Sequence, residues 1–124
     1  MFRILVADDD ALQLDFRKQL LEIAGYQVVV ALSARQTMRC IEKSAADLVI
    51  LDLRFPNAQG EPDAREGLAL IQRIRDLGCL APMIVLSGWP EDLYGQPEER
   101  LVSCILPKPV SARELLDTVR GLLT

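Results

Sequence analysis

Five short apolar runs alternate with longer amphipathic segments along almost the whole chain, and this alternation limits the possible folds more than any other feature. The runs Arg3 to Ala7, Gln27 to Ala31, Asp47 to Leu51, Met83 to Leu86 and Cys104 to Leu106 are rich in Val, Ile and Leu and too short for helices. Three of them contain nearly unbroken apolar stretches, ILVA, LVIL and MIVL, as strands covered on both faces of a parallel sheet require. The segments between them carry helical period and helical punctuation. Leu12, Phe16, Leu20 and Ile23 fall on one helical face, Asp10 with Gln13 resembles a capping box, and Gly25 supplies a stop. Ser33 with Gln36 opens a second helix. Leu68, Ile71 and Ile74 line a third that resumes after Gly67 and ends before Gly78. Ser111 with Glu114 opens the last, whose Leu115, Val119 and Leu122 face inward. Between Ser87 and the fifth strand, Pro90, Gly95 and Pro97 allow only a short or kinked fourth helix. Strict alternation implies right-handed βαβ crossovers and an α/β doubly wound sheet with helices on both faces.

At 124 residues, half of them hydrophobic, the chain makes one domain, 1–124, able to bury a core without disulfides or metal staples. No apolar run reaches the roughly 18 residues of a membrane span, and Met1-Phe2-Arg3 leads into a strand rather than a signal peptide. A cytoplasmic protein is expected. The net charge of −4, with no basic run, argues against direct nucleic-acid binding. The absence of histidine excludes histidine metal sites, Ser-His-Asp or Cys-His catalysis and any role as a phosphohistidine donor. Cys40, Cys79 and Cys104 lack CxxC spacing and read as reduced, small hydrophobic residues.

Ligands of open parallel sheets bind at the carboxyl ends of strands. There stand Asp8, Asp9 and Asp10 after the first strand, Asp52 after the third, Ser87 after the fourth and Lys108 between two prolines after the fifth. Asp10 reads as the helix cap. Asp8 and Asp9 remain, and like charges about 4 Å apart repel by about 1 kcal/mol in water and about 4 at an effective dielectric near 20. Asp52 on a neighbouring strand adds to that repulsion, which Mg²⁺ would relieve. A cation clamp, a lysine, a hydroxyl and a carboxylate between them are the parts phosphoryl transfer needs, with Asp52 as nucleophile.

At these residues the chain resembles the receiver domain of two-component response regulators, through ILVADDD, LVILDLRFP, IVLSG and LPKP in family order. The resemblance implies a flavodoxin-like (βα)5 fold with strand order 2-1-3-4-5. It implies that Asp52 accepts a phosphoryl group from a histidine kinase or histidine phosphotransfer protein, and that phosphorylation switches binding of an unknown downstream protein. It implies Mg²⁺ held by Asp9, Asp52 and the backbone carbonyl of Arg54, with Asp8 acting through water. Ser87 matches the hydroxyl residue that bonds the phosphoryl group, Lys108 the lysine that pairs with it, and the Lys108-Pro109 bond is expected to be cis. The family face of fourth helix, fifth strand and fifth helix is where a dimer would form. The chain would be a stand-alone regulator or a receiver cut from a longer protein, catalysing only its own phosphotransfer and dephosphorylation.

Two departures stand out. The family's aromatic switch position on the fifth strand is Ile105, so either Trp89 or Tyr94 replaces it or output takes another route; both are equally well read as ordinary, partly buried aromatics. The stretch Arg54 to Glu66, with Pro56, Asn57, Gly60, Pro62 and Asp63, reads as irregular and exceeds the usual βα loop. Against the family pattern it carries 7 extra residues between Gly60 and Gly67, which would lie over the phosphorylation edge and tune partner choice or phosphoryl lifetime, with Arg54 and Trp89 flanking the site. Three rival readings fit the residues less well. A haloacid-dehalogenase-like Mg²⁺-dependent phosphatase would place its DxD motif on Asp8 and Asp10, but Leu12 and the LPKP segment stand where it needs a hydroxyl and late acids. A non-phosphorylated pseudo-receiver docking module has no need of a charge-crowded pocket. A flavodoxin-like cofactor binder lacks a phosphate-cradling loop after the first strand.

Overall fold

Each apolar run becomes a strand of one parallel sheet in the computed structural model, which describes residues 1–124. The elements are β1 (Arg3–Ala7), α1 (Ala11–Ile23), β2 (Gln27–Ala31), α2 (Ala34–Lys43), β3 (Leu48–Asp52), β4 (Phe55–Pro56), β5 (Pro62–Asp63), α3 (Ala64–Asp76), β6 (Met83–Ser87), β7 (Cys104–Pro107) and α4 (Ala112–Leu123). The sheet runs β2-β1-β3-β6-β7, which is the expected order 2-1-3-4-5 once the small β4–β5 hairpin is set aside. All of its pairings are parallel.

Every residue of β3 and β6 is buried, because these central strands carry helices on both faces. Alternation splits the strand side chains into two cores. Leu5, Val49, Leu51, Met83 and Val85 meet Met38 of α2 and Leu70, Ile71 and Ile74 of α3. Ile4, Val6, Ile50, Ile84 and Leu86 meet Leu14 and Leu21 of α1 and Leu115 and Val119 of α4. The helices begin where their caps stand. Asp10 Oδ1 accepts from the Leu12 and Gln13 N–H groups at 3.1 and 3.3 Å, Ser33 Oγ from Gln36 N–H at 3.1 Å, and Ser111 Oγ from Glu114 N–H at 3.0 Å. No helix is long and apolar enough to cross a membrane.

The structure corrects the sequence reading in three places. The α1 stripe of Leu12, Phe16 and Ile23 points to solvent, at 77, 62 and 86% exposure, whereas Leu14, Arg17 and Leu21 are buried. The helix has two apolar stripes, and the buried one was masked by Arg17, whose charge is cancelled by an acid at the end of β1. The third helix starts at Ala64, capped by Asp63, and not after Gly67. Gly67 lies within it because a Cβ there would sit 1.9 Å from the Leu53 carbonyl oxygen, so this glycine marks a close crossing of α3 over the chain leaving β3. The stretch after Arg54 is correspondingly ordered. Phe55–Pro56 pairs antiparallel with Pro62–Asp63, and Asn57 Oδ1 accepts from the N–H groups of Gln59 and Glu61 at 2.9 and 3.1 Å.

In place of a fourth α-helix the chain makes two 3-10 turns, Pro90–Asp92 and Pro97–Leu101, so the (βα)5 plan is completed with four α-helices. Each turn opens on a proline, and Gly95 between them takes φ +82°. Fully buried Leu93 anchors the segment, and Arg75 of α3 ties it down by donating to the Leu101 carbonyl at 3.1 and 2.8 Å. The face on which a dimer was expected is therefore built from 3-10 turns, β7 and α4.

Candidate functional site

The carboxyl ends of β1, β3, β6 and β7 bring Asp8, Asp9, Asp52, Ser87 and Lys108 into one cleft. Parallel register places them there. Asp52 is the last residue of β3 and pairs with Leu86, and the next residue of β6, Ser87, pairs with Pro107, immediately before Lys108. The Lys108 N–H donates to the Ser87 carbonyl at 2.8 Å, and the Lys108-Pro109 bond is cis, as expected.

Lys108 Nζ lies 3.1 Å from Asp52 Oδ1 and 3.9 Å from Asp8 Oδ2. One carboxylate oxygen from each of Asp8, Asp9 and Asp52 falls within 4.8 Å of the others. Asp8 and Asp52 are buried, while Asp9 is on the exposed rim. Burial, reinforced by the charge of Asp8, pushes the Asp52 carboxyl above the usual carboxylate range, with Lys108 opposing it. Partial desolvation and the same neighbour push Asp9 upward. Three carboxylates crowded this closely are a donor set suited to a divalent cation such as Mg²⁺. The protein donors to Asp52, Lys108 Nζ and Leu53 N–H, both meet Oδ1, which leaves Oδ2 for a reacting or ligating role.

The Ser87 Oγ accepts from the Trp89 N–H at 3.0 Å, so the hydroxyl keeps its own proton to donate. Arg54 crosses the mouth of the cleft. Its guanidinium stacks on the Trp89 indole, 3.7 Å from the ring centroid, and its Nε donates to Asp92 Oδ2 at 2.8 Å. Glu61 and Pro62 of the hairpin also line the cleft, so the loop after Asp52 lies over this edge. Trp89 and Tyr94 are about half exposed and Ile105 is packed against the core. The expected acids, Arg54, Ser87, Trp89 and Lys108 thus converge, whereas Tyr94, Ile105 and Pro109 lie outside the cleft lining.

Two participants escaped the sequence reading. Arg17 of α1 donates to Asp8 Oδ2 at 2.5 Å, and its signal was a cation in register with Leu14 and Leu21. Asp92, partner of Arg54, had no sequence signal, since the pair spans 38 residues. Asp10 caps α1 through Oδ1, the role that the sequence assigns to it.

Residues 4–120 match the profile of the response regulator receiver domain. The chain belongs to that family. The receiver is 32% identical over 117 residues to the DNA-binding transcriptional regulator NtrC of Bradyrhizobium, covering 94% of this chain and 23% of that protein. It is 32% identical over 126 residues to the sensory/regulatory protein RpfC of Xanthomonas campestris, covering 97% of this chain and 16% of that one. The chain thus spans less than a quarter of either relative. Among solved structures, the response regulator TrrA of Thermotoga maritima in complex with Mg²⁺ and BeF is similar, with TM-score 0.85 and 26% identity over 99% of this chain and 100% of that one. The receiver is a component of phosphorylation-based two-component signalling.

Proposed function

We propose that Asp52 is the phosphoacceptor of this receiver and that the domain, residues 1–124, switches a protein partner when Asp52 is phosphorylated. The observation that carries this reading is the placement of Asp52 between Lys108 Nζ at 3.1 Å and the carboxylates of Asp8 and Asp9 within 4.8 Å. Oδ2 of Asp52 attacks phosphorus, the bond from phosphorus to the donor imidazole nitrogen breaks, and its electron pair stays on that nitrogen. The product is an acyl phosphate on Asp52 and a free histidine on the donor. That histidine lies outside these residues, which contain none, and so belongs to a histidine kinase or a histidine phosphotransfer protein. The domain catalyses only its own phosphotransfer and dephosphorylation, in the cytoplasm.

Asp9, Asp52 and the Arg54 carbonyl would hold Mg²⁺ directly, and Asp8 would act through water. When bound, Mg²⁺ neutralises charge on the phosphoryl oxygens. Lys108 pairs with one phosphoryl oxygen. The Ser87 hydroxyl donates its own proton to another, and as it moves there it draws along the Trp89 N–H from which its oxygen accepts. Trp89 carries Arg54 and Asp92 with it, so the signal passes from Ser87 through Trp89 to the 3-10 turns rather than through an aromatic at Ile105. The altered face of turns, β7 and α4, next to Pro109, is where the downstream protein, or a second copy, docks.

Incubation with a small phosphodonor and Mg²⁺, followed by intact mass measurement of parent and Asp52→Ala, tests the reading. A Mg²⁺-dependent, base-labile adduct on the parent alone is the expected result. An adduct retained by Asp52→Ala, or none on the parent, overturns it.

A further inference from the structure

Arg17 occupies a place that packing alone would give to a leucine. It is 8% exposed, lies in register with buried Leu14 and Leu21 on the sheet-facing side of α1, and directs Nη1 to Asp8 Oδ2 at 2.5 Å. Burying a guanidinium costs more than burying an aliphatic side chain, and a paired buried ion is seldom the most stable choice. Its presence therefore points to a task at the carboxylates. Asp8 Oδ1 is already occupied by the Asp10 N–H at 2.9 Å, and Lys108 Nζ stands 3.9 Å from Oδ2 on its way to Asp52. Arg17 is thus the closest cation to Asp8.

We infer that Arg17 is a positioning residue, a resident counter-cation that weakens Mg²⁺ binding to the empty pocket and strengthens binding of the phosphoryl group. The inference rests on the phosphoacceptor reading of Asp52. Without metal, the ionised carboxylates of Asp8, Asp9 and Asp52 face the cations Arg17 and Lys108, leaving one net negative charge. Without Arg17 that residual charge doubles and draws a divalent cation more strongly. When Asp52 is converted to an acyl phosphate of about −2 charge and Mg²⁺ is bound, the charges of these groups cancel with Arg17 present. Without it, one negative charge is left over beside the phosphoryl group. The two effects have opposite sign, which a purely structural arginine does not produce.

Calorimetric titration of the parent, Arg17→Met and Arg17→Lys with Mg²⁺, and then with beryllofluoride in saturating Mg²⁺, tests this. Arg17→Met is expected to bind Mg²⁺ roughly three- to tenfold tighter and beryllofluoride weaker by a similar factor, as one unit charge at this range implies. Arg17→Lys, which keeps the charge, should lie closer to the parent in both. Shifts of Arg17→Met in the same direction, or none, overturn the inference. If Arg17→Met is unfolded without metal, recovery of its circular dichroism on addition of Mg²⁺ supports the inference, and failure to recover overturns it. Loss of Mg²⁺ binding in the parent itself would instead overturn the phosphoacceptor reading, and this inference with it.

Discussion

The guanidinium of Arg54 lies flat against the indole of Trp89, 3.7 Å from the ring centroid, while its Nε is held by Asp92 at 2.8 Å. This contact joins the residue two past Asp52 to the first 3-10 turn and spans the mouth of the cleft. The Asp92 contact also pushes the Arg54 guanidinium further above its ordinary value, so it remains a cation at any working pH. A double-mutant cycle of Arg54→Ala and Trp89→Ala, read by denaturant unfolding, should give a coupling of about 0.5 to 1 kcal/mol. Asp92→Ala should shift Trp89 fluorescence in the same direction as Arg54→Ala. Additive single mutants would show that the stacked pair carries no energy.

Gly67→Ala is expected to destabilise the protein by about 2 kcal/mol or more, because the new methyl meets the Leu53 carbonyl oxygen at 1.9 Å. In an unobstructed helix the same change stabilises by about 1 kcal/mol. The sign of the shift in urea midpoint therefore decides whether α3 crosses the end of β3 this closely.

Asp52→Asn should raise the melting temperature of the metal-free protein at neutral pH, on the order of 3 °C. Burial and the charge of Asp8 raise the Asp52 pKa, so the folded state holds this proton more tightly than the unfolded state does. The resulting stabilisation is full below the unfolded value of about 4 and is lost as pH rises through the folded value. At neutral pH the ionised carboxylate is a burden that asparagine removes. The advantage of the variant should vanish on acidification below about pH 4, and an advantage that persisted there would contradict the assignment.

Asp63 behaves in the opposite way. It accepts from the Arg65 N–H at 2.9 Å and pairs with the Arg65 guanidinium at 2.9 Å, which holds its carboxyl well below the usual range. Its contribution is present above the unfolded value of about 4 and is lost as pH falls from there toward the depressed folded value. Asp63→Asn keeps a capping side chain but removes this titration. Its stability should therefore fall less steeply than that of the parent over the acid limb of a pH series followed by thermal melting.

Arg75 donates to three carbonyls, those of Leu101, Cys79 and Ala81, at 2.7 to 3.1 Å. Arg75→Ala should cost about 2 kcal/mol. Amide exchange should accelerate in residues 97–102 more than in β6. A uniform change across both segments would indicate general loosening rather than release of the second 3-10 turn.

The strands and the acids at their ends were legible because each signal is local. An unbroken run such as LVIL leaves a strand few alternatives to burial on both faces, and Asp8, Asp9, Asp52 and Lys108 simply follow such runs. The rotation of α1 was not legible, because Leu12, Phe16 and Leu20 make as good an apolar stripe as Leu14 and Leu21 do. The choice between the stripes depends on Arg17 meeting Asp8, a contact between separate elements. The start of α3 was misplaced for a similar reason. Gly67 looks like punctuation in the sequence, but it is small because Leu53 is close. Strands of two residues, each containing a proline, give the β4–β5 hairpin no periodicity to detect.

Lys108 reaches the acids only after β7 has been laid against β6, whose partner residues lie some 20 positions earlier in the chain. A nascent polypeptide stalled before that strand would display clustered negative charge without its lysine. The charge balance of the cleft is thereby set by the edge strand of the sheet, which carries the cation that faces Asp52.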